Sequence, residues 1–363
     1  MKKLVYILLF LIVSCYSSGN SEFTRMFIEK NSDVIRILSN NKTQIKLSII
    51  DENNGFNEYE YNVDANQYFY PASTVKLPIA LFALEKLNEH KYLSIDTPFM
   101  LEDDTLKTTM RRELEKIFVL SDNQANNRLF EFLGQDYINQ KFILKGLNES
   151  RIFHRLSTIN SSNLNGKRVD FFLNDSIISF QNKNIAPSKL NLKGVKKGIG
   201  YINQTGSLIK EPMNFSDKNF ISINDLHKII KILFFPDKFE KSERFNLTPL
   251  QRDVVFKYMS GYPKEFGYDE KEYPYFFNKF FIYGDKKLEF SNSFKIYNKV
   301  GFAYGQLTDT AYIINDDLSI ILTATIDVNS NKIYNDNNYD YELIGFPFLA
   351  QLSRGIFKII SNN

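Results

Sequence analysis

Tryptophan is absent from this chain of 363 residues, cysteine occurs once and histidine three times. A single cysteine excludes an intramolecular disulfide, so the fold must be held by its core. The apolar material for that core is supplied largely by 33 Phe and 21 Tyr. The histidines, His90, His154 and His227, lie far apart without metal-ligand spacing, and no metal centre is expected. His90 is expected to end a helix and His227 to face solvent on one. Charge of one sign is not in excess: the net value is +3. The densest basic group, Lys183, Lys189, Lys193, Lys196 and Lys197, has little aromatic interleaving and suits a solvated loop, so no nucleic-acid partner is expected. Gly194, Gly198 and Gly200 lack phosphate-loop spacing and follow no strand. There is no repeat and no Pro/Gly/Ser linker.

One long apolar run is present, at the start. "MKKLVYILLFLIVSCYSSGNSE" has two lysines, then Leu4 to Val13, then Ser14-Cys15 and a polar spacer. The run is short for a membrane span and has the layout of a secretory signal. Ile12-Val13-Ser14-Cys15 resembles a bacterial lipobox, which implies cleavage before Cys15 and its lipidation. The expectation is a signal peptide over 1–14, a tether over 15–26, and an envelope lipoprotein whose body, 27–363, faces the periplasm or exterior.

Strand patterns occupy both ends of that body. "TQIKLSIIDENNGFNEYEYN" reads as a hairpin around Asn-Asn-Gly, and "FKIYNKVG", "DTAYIIN" and "LSIILTATIDV" read as strands. Between them the signals are mainly helical, with starts at Ser222 and Thr248-Pro249, and "FPFLAQLSRGIFKII" closes the chain as a helix. The predicted fold class is α/β (α+β): an antiparallel sheet built from about 27–75 and 275–363, flanked by helices, with a mainly helical part over about 76–274.

Three motifs carry chemistry. In "FYPASTVKLPIALFALEKL", Ser73 and Lys76 stand one helical turn apart at the mouth of a helix apolar nearly all round. Poor solvation there disfavours the charged amine, and a neutral amine can accept a proton from serine. Ser-x-x-Lys alone is weak, since Ser39/Lys42 and Ser207/Lys210 share the spacing. Ser121-Asp122-Asn123 lies at a helix break, 48 residues after Ser73. Lys299-Val300-Gly301 lies on a predicted strand. For acyl transfer, Ser73 is the nucleophile, Lys76 its proton acceptor, Ser121 a relay to the leaving group and Asn123 a holder of a substrate amide. Lys299 supplies a cation for a carboxylate, and the N–H groups of Ser73 and of Phe302, just after Gly301, supply an oxyanion site. Asp122 and Asn298 are assigned structural roles.

In type, order and first spacing these motifs resemble the S-x-x-K, S-D-N, K-T-G set of the penicillin-recognising serine hydrolases, the serine β-lactamases and D,D-peptidases, and most closely the class A type. The resemblance covers about residues 27–360. It implies a monomeric serine hydrolase acting on an amide or β-lactam through a Ser73 acyl-enzyme, with no cofactor. Two departures stand out. Val300 lacks the hydroxyl of the family's Thr or Ser, a loss of about 1.5–3 kcal/mol for one charge-assisted hydrogen bond. Leu156-Ser157 stand about where the family has a deacylating glutamate; Glu149 comes too early, and Asp170, Asp175 and Glu211 cannot be placed. These departures keep two alternatives open: a slow-deacylating penicillin-binding or D,D-peptidase-like protein, and a non-catalytic envelope-binding lipoprotein.

Overall fold

The computed structural model describes residues 23–29, 34, 37, 38, 41–289 and 293–362. The signal over 1–14, Cys15 and most of the tether lie outside the described residues. Strands β1 (Thr43–Ile50) and β2 (Phe56–Tyr61) form the first hairpin, turned where Asp51 Oδ1 accepts from the N–H groups of Asn53 and Gly55 at 2.8 and 2.7 Å. From the other end come β3 (Phe294–Ala303), β4 (Gln306–Asn315) and β5 (Leu318–Asp327). The five make one antiparallel sheet in the order β3-β4-β5-β1-β2, with β1 joined to β5 in the register Leu47 to Leu322. The chain ends thus close one sheet, and β3 is its edge.

Period-two alternation splits this sheet between two cores. Ile296, Val300, Ile313, Ile320 and Leu322 face α7 (Phe346–Ile360) through Phe348, Leu349, Leu352 and Ile356. The opposite face packs against a helical layer of α1 (Lys76–Asn88), α2 (Met110–Glu115), α3 (Asn123–Leu133), α4 (Gln135–Leu144), α5 (Ile223–Phe234) and α6 (Pro249–Ser260). Every residue of α1 from Lys76 to Leu87 is buried, as its all-round apolar sequence requires. The two charged residues near its C-terminal end are compensated: Lys145 lies 2.8 Å from Glu85, and Lys86 Nζ donates to the carbonyls of Phe132 and Leu133 at 2.7 and 3.0 Å.

The structure departs from the sequence expectations in three places. Residues 145–222 contain no helix; they form loops and short strands, among them Val169–Phe172 between Pro98–Leu101 and Ile177–Phe180. The hairpin of Gly200–Ile202 and Leu208–Ile209 docks in parallel on Ile333–Tyr334. His227 does not face solvent. It falls four residues after Ile223 and three before Ile230, on the buried stripe of α5, with Nε2 2.7 Å from Ser48 Oγ and Nδ1 3.1 Å from Thr323 Oγ1. Burial pushes its pKa well down. Lys197 likewise leaves the expected solvated group: it is buried, 3.8 Å from Asp327.

Candidate active site

Ser73 sits in the tight turn Ala72–Val75 that feeds α1. The turn is pinned from three sides. Thr74 Oγ1 donates to the carbonyl of Pro71 at 2.7 Å, Gln306 Oε1 accepts from the N–H of Tyr70 at 2.7 Å, and Gly301 of β3 lies against the backbone. A Cβ on Gly301 would stand 2.6 Å from the Pro71 carbonyl oxygen and 2.8 Å from the N–H nitrogens of Ser73 and Thr74. Only glycine lets the edge strand approach the turn this closely.

Lys76 is fully buried, and its Nζ donates to Ser73 Oγ at 2.9 Å. The same nitrogen reaches the backbone carbonyl of Ser121 and, at 3.3 Å, Ser121 Oγ. Ser121 caps the wide turn Lys116–Leu120 with φ +57°, a left-handed conformation that costs an L residue about 1–3 kcal/mol and turns carbonyl and hydroxyl toward one amine. Asp122 then starts α3 by accepting from the Ala125 N–H at 2.7 Å, a capping role. From β3, Lys299 Nζ donates to Ser121 Oγ and to the Val300 carbonyl, both at 2.9 Å. Ser73, Lys76, Ser121 and Lys299, separated by up to 226 positions, therefore form one connected chain of polar atoms.

The other sequence-selected residues surround it. Asn123 Nδ2 donates to Ser157 Oγ at 3.0 Å, spanning from α3 to the facing loop. Phe302 follows Gly301 on the edge strand. The β3–β4 turn, Tyr304-Gly305 with φ +54° and +74°, is of the two-residue type, which makes Ala303 and Gln306 the hydrogen-bonded pair and Phe302 and Leu307 the non-bonded one. The Phe302 N–H consequently points to the open edge of the sheet. Val300 alternates to the opposite face and is buried in the core beneath α7, so its side chain is a packing element.

Burial dominates the electrostatics. It lowers the Lys76 pKa well below the usual value, helped by the Lys299 charge and opposed by Asp122. It brings Lys299 down to about 7, with Asp309 opposing and Lys279 assisting. Behind Lys299 lies a buried group that sequence reasoning did not assemble. Asn298 Nδ2 donates to Asp309 Oδ1 at 2.9 Å and to the Asn278 carbonyl at 2.9 Å, while Lys279 Nζ donates to Asn298 Oδ1 at 2.8 Å. The available signal was a lysine inside "FFNKFF" and an aspartate inside an apolar strand.

The acids considered for deacylation lie elsewhere. Glu149 accepts from Ser222 Oγ at 2.7 Å at the start of α5, and Asp170 is held by Arg168 and Ser179 in the small sheet. Asp175 lines a surface pocket with Tyr92, and Glu211 is exposed. In the expected position, Leu156 is buried, with its N–H and carbonyl bonded to the Asn127 side chain at 2.9 and 2.8 Å. The open cleft beside Ser157, Phe302 and Tyr304 has no Asp or Glu among its described lining residues. His154 lines that cleft but is buried, its Nδ1 2.5 Å from the Arg155 carbonyl oxygen.

Residues 29–176 match the model of the β-lactamase enzyme family. No curated protein sequence matches the chain. Solved structures share its fold. A class A β-lactamase representative from Bacteroides cellulosilyticus DSM 14838 is 11% identical with TM-score 0.54, over 95% of this chain and 99% of that one. A β-lactamase from Sphaerobacter thermophilus DSM 20745 is 12% identical with TM-score 0.54, over 91% and 96%. A PBP-A mutant in acyl-enzyme complex with penicillin G is 14% identical with TM-score 0.53, over 91% and 96%. The family match thus covers residues 29–176, and the chain as a whole shares the fold of the class A β-lactamases and PBP-A.

Proposed function

We propose that Ser73 forms a covalent acyl-enzyme from an amide or β-lactam and releases it slowly. The observation that carries this reading is the position of Lys76 Nζ, 2.9 Å from Ser73 Oγ and also in reach of Ser121 Oγ, in surroundings that disfavour its charge. Neutral Lys76 takes the Ser73 proton as Oγ bonds to the carbonyl carbon. The N–H groups of Ser73 and Phe302 hold the oxyanion. As the C–N bond breaks, Ser121 gives its proton to the leaving nitrogen and is resupplied by Lys76. Lys299 faces the substrate carboxylate, and Asn123 holds the acyl-side amide.

Water then has to cleave the ester, and Leu156 and Ser157 stand where the family's deacylating glutamate is expected. This favours long-lived acylation, the behaviour of a penicillin-binding or D,D-peptidase-like protein, over rapid β-lactam turnover. The test is hydrolysis of a chromogenic cephalosporin: a stoichiometric burst followed by slow turnover is expected, abolished in Ser73→Ala. Equal turnover by the variant removes Ser73 from the mechanism; an inert wild type that binds peptidoglycan favours the non-catalytic alternative.

The same proposal places the enzyme, as a monomer, in the cell envelope through cleavage after Ser14 and lipidation of Cys15. Cys15→Ser should release it from membranes; retention there by the variant rules out this anchor.

A further inference from the structure

The reading of Ser73 and Phe302 as the oxyanion donors, on which this inference rests, gives the substrate a direction. β3 runs lengthwise past the scissile group at about 3.3 Å per residue. Lys299 lies three residues back along it, and Ala303 and Tyr304 continue beyond. The cation for the leaving-side carboxylate and the hairpin tip thus stand on opposite sides of the reacting bond. The tip borders the cleft that also holds His154, Arg155, Ser157, Lys218 and Tyr339.

Three of these residues carry basic groups, and two are already engaged. Arg155 is paired with Glu131 and donates to the Asn163 carbonyl at 2.7 Å. His154 is buried and brought down to about 4, so it is neutral at ordinary pH. Lys218 differs. It is half-buried, and among the described residues no carboxylate lies within ion-pair distance of its ammonium and no side chain or carbonyl accepts from Nζ. Burial lowers its pKa. An ammonium partly withdrawn from water without an anion is held at a cost that an incoming anion removes. None of the described residues lining the cleft is an Asp or Glu that would repel such a group.

We infer that Lys218 recognises an anionic group on the acyl side of the substrate, so that the preferred amide carries one negative charge on each side of the scissile bond. Tyr304 and Tyr339 supply apolar surface for the chain that bears the acyl-side group.

The probes are two penicillins, one with a carboxylate on the α-carbon of its phenylacetyl side chain and one with the isosteric carboxamide there. Second-order acylation constants of the full chain are measured by intact mass. A charge-assisted contact gives the carboxylate about a tenfold advantage in wild type. Lys218→Ala brings the ratio close to one and Lys218→Arg restores it. In wild type, about 0.5 M salt lowers the ratio, a reading that needs no variant. A wild-type ratio at or below one, or a ratio unchanged in Lys218→Ala and by salt, overturns this subsite while leaving Ser73 acylation standing. Failure of both probes to acylate wild type overturns the Ser73 reading and this inference with it.

Discussion

In the proposed mechanism Lys76 and Lys299, identical side chains, have opposite tasks, and burial acts on both in the same direction. As the proposed base, Lys76 would work above its own depressed pKa, whereas Lys299 would bind a carboxylate only below its pKa of about 7. The acylation rate should therefore be bell-shaped in pH, with an alkaline limb near 7, far below that of an ordinary lysine. Removing the neighbouring charge in Lys279→Met should move this limb upward, and Asp309→Asn should move it downward. A limb that stays in place in both variants, by stopped-flow acylation across pH, separates Lys299 from the buried group behind it. Ser73 and Lys76 were legible in sequence because the pair opens a long apolar run and Ser121-Asp122-Asn123 follows it at the family's spacing. Lys279, Asn298 and Asp309 were not, because their meeting depends on the strand register that sets Val300 opposite Asp309.

Elements place these residues, and the closest fit is between edge strand β3 and the turn before α1. Gly301→Ala drives a methyl group into three backbone atoms that cannot rotate away. The strand must then lift from the turn, carrying Lys299 and the Phe302 N–H out of line. The expected outcome is a loss of about 1–3 kcal/mol in stability by denaturant unfolding and at least a hundredfold loss in acylation rate. An alanine variant with wild-type acylation contradicts this approach. At this scale the sequence was informative wherever periodicity and caps agreed: Ser222 and Thr248 do start α5 and α6. It misled where one side chain broke a pattern. His227 looked like a polar interruption of α5, yet helical spacing sets it between Ile223 and Ile230 on the buried face. Over 145–222, strands of two to four residues leave too little periodicity to distinguish from the helical signals on either side.

Burial of His227 also reaches the stability of the whole molecule. Its folded pKa is depressed, so below about pH 6.5 the unfolded chain binds a proton that the folded one does not, and stability is lost as pH falls. In His227→Gln this loss is absent. Thermal unfolding at about pH 7 and 5 should show the variant gaining on wild type at the lower value; a constant gap contradicts the neutral, buried assignment. For the molecule as a whole, both chain ends build the sheet, and its edge carries Lys299 to a turn 226 positions earlier. Motif order foretold that convergence. What it left unassigned was the cleft beyond Tyr304, whose walls come from loops and from the strand-forming segment near 333.

The central claim is that the Ser73 hydroxyl, primed by Lys76, takes up an acyl group and keeps it. The most direct test mixes the full chain with benzylpenicillin and follows intact mass with time, mapping the modified peptide. A single adduct of the whole antibiotic on Ser73, persisting for many minutes and absent from both Ser73→Ala and Lys76→Ala, is the predicted result. An adduct elsewhere, or none on a folded wild-type protein, would contradict it.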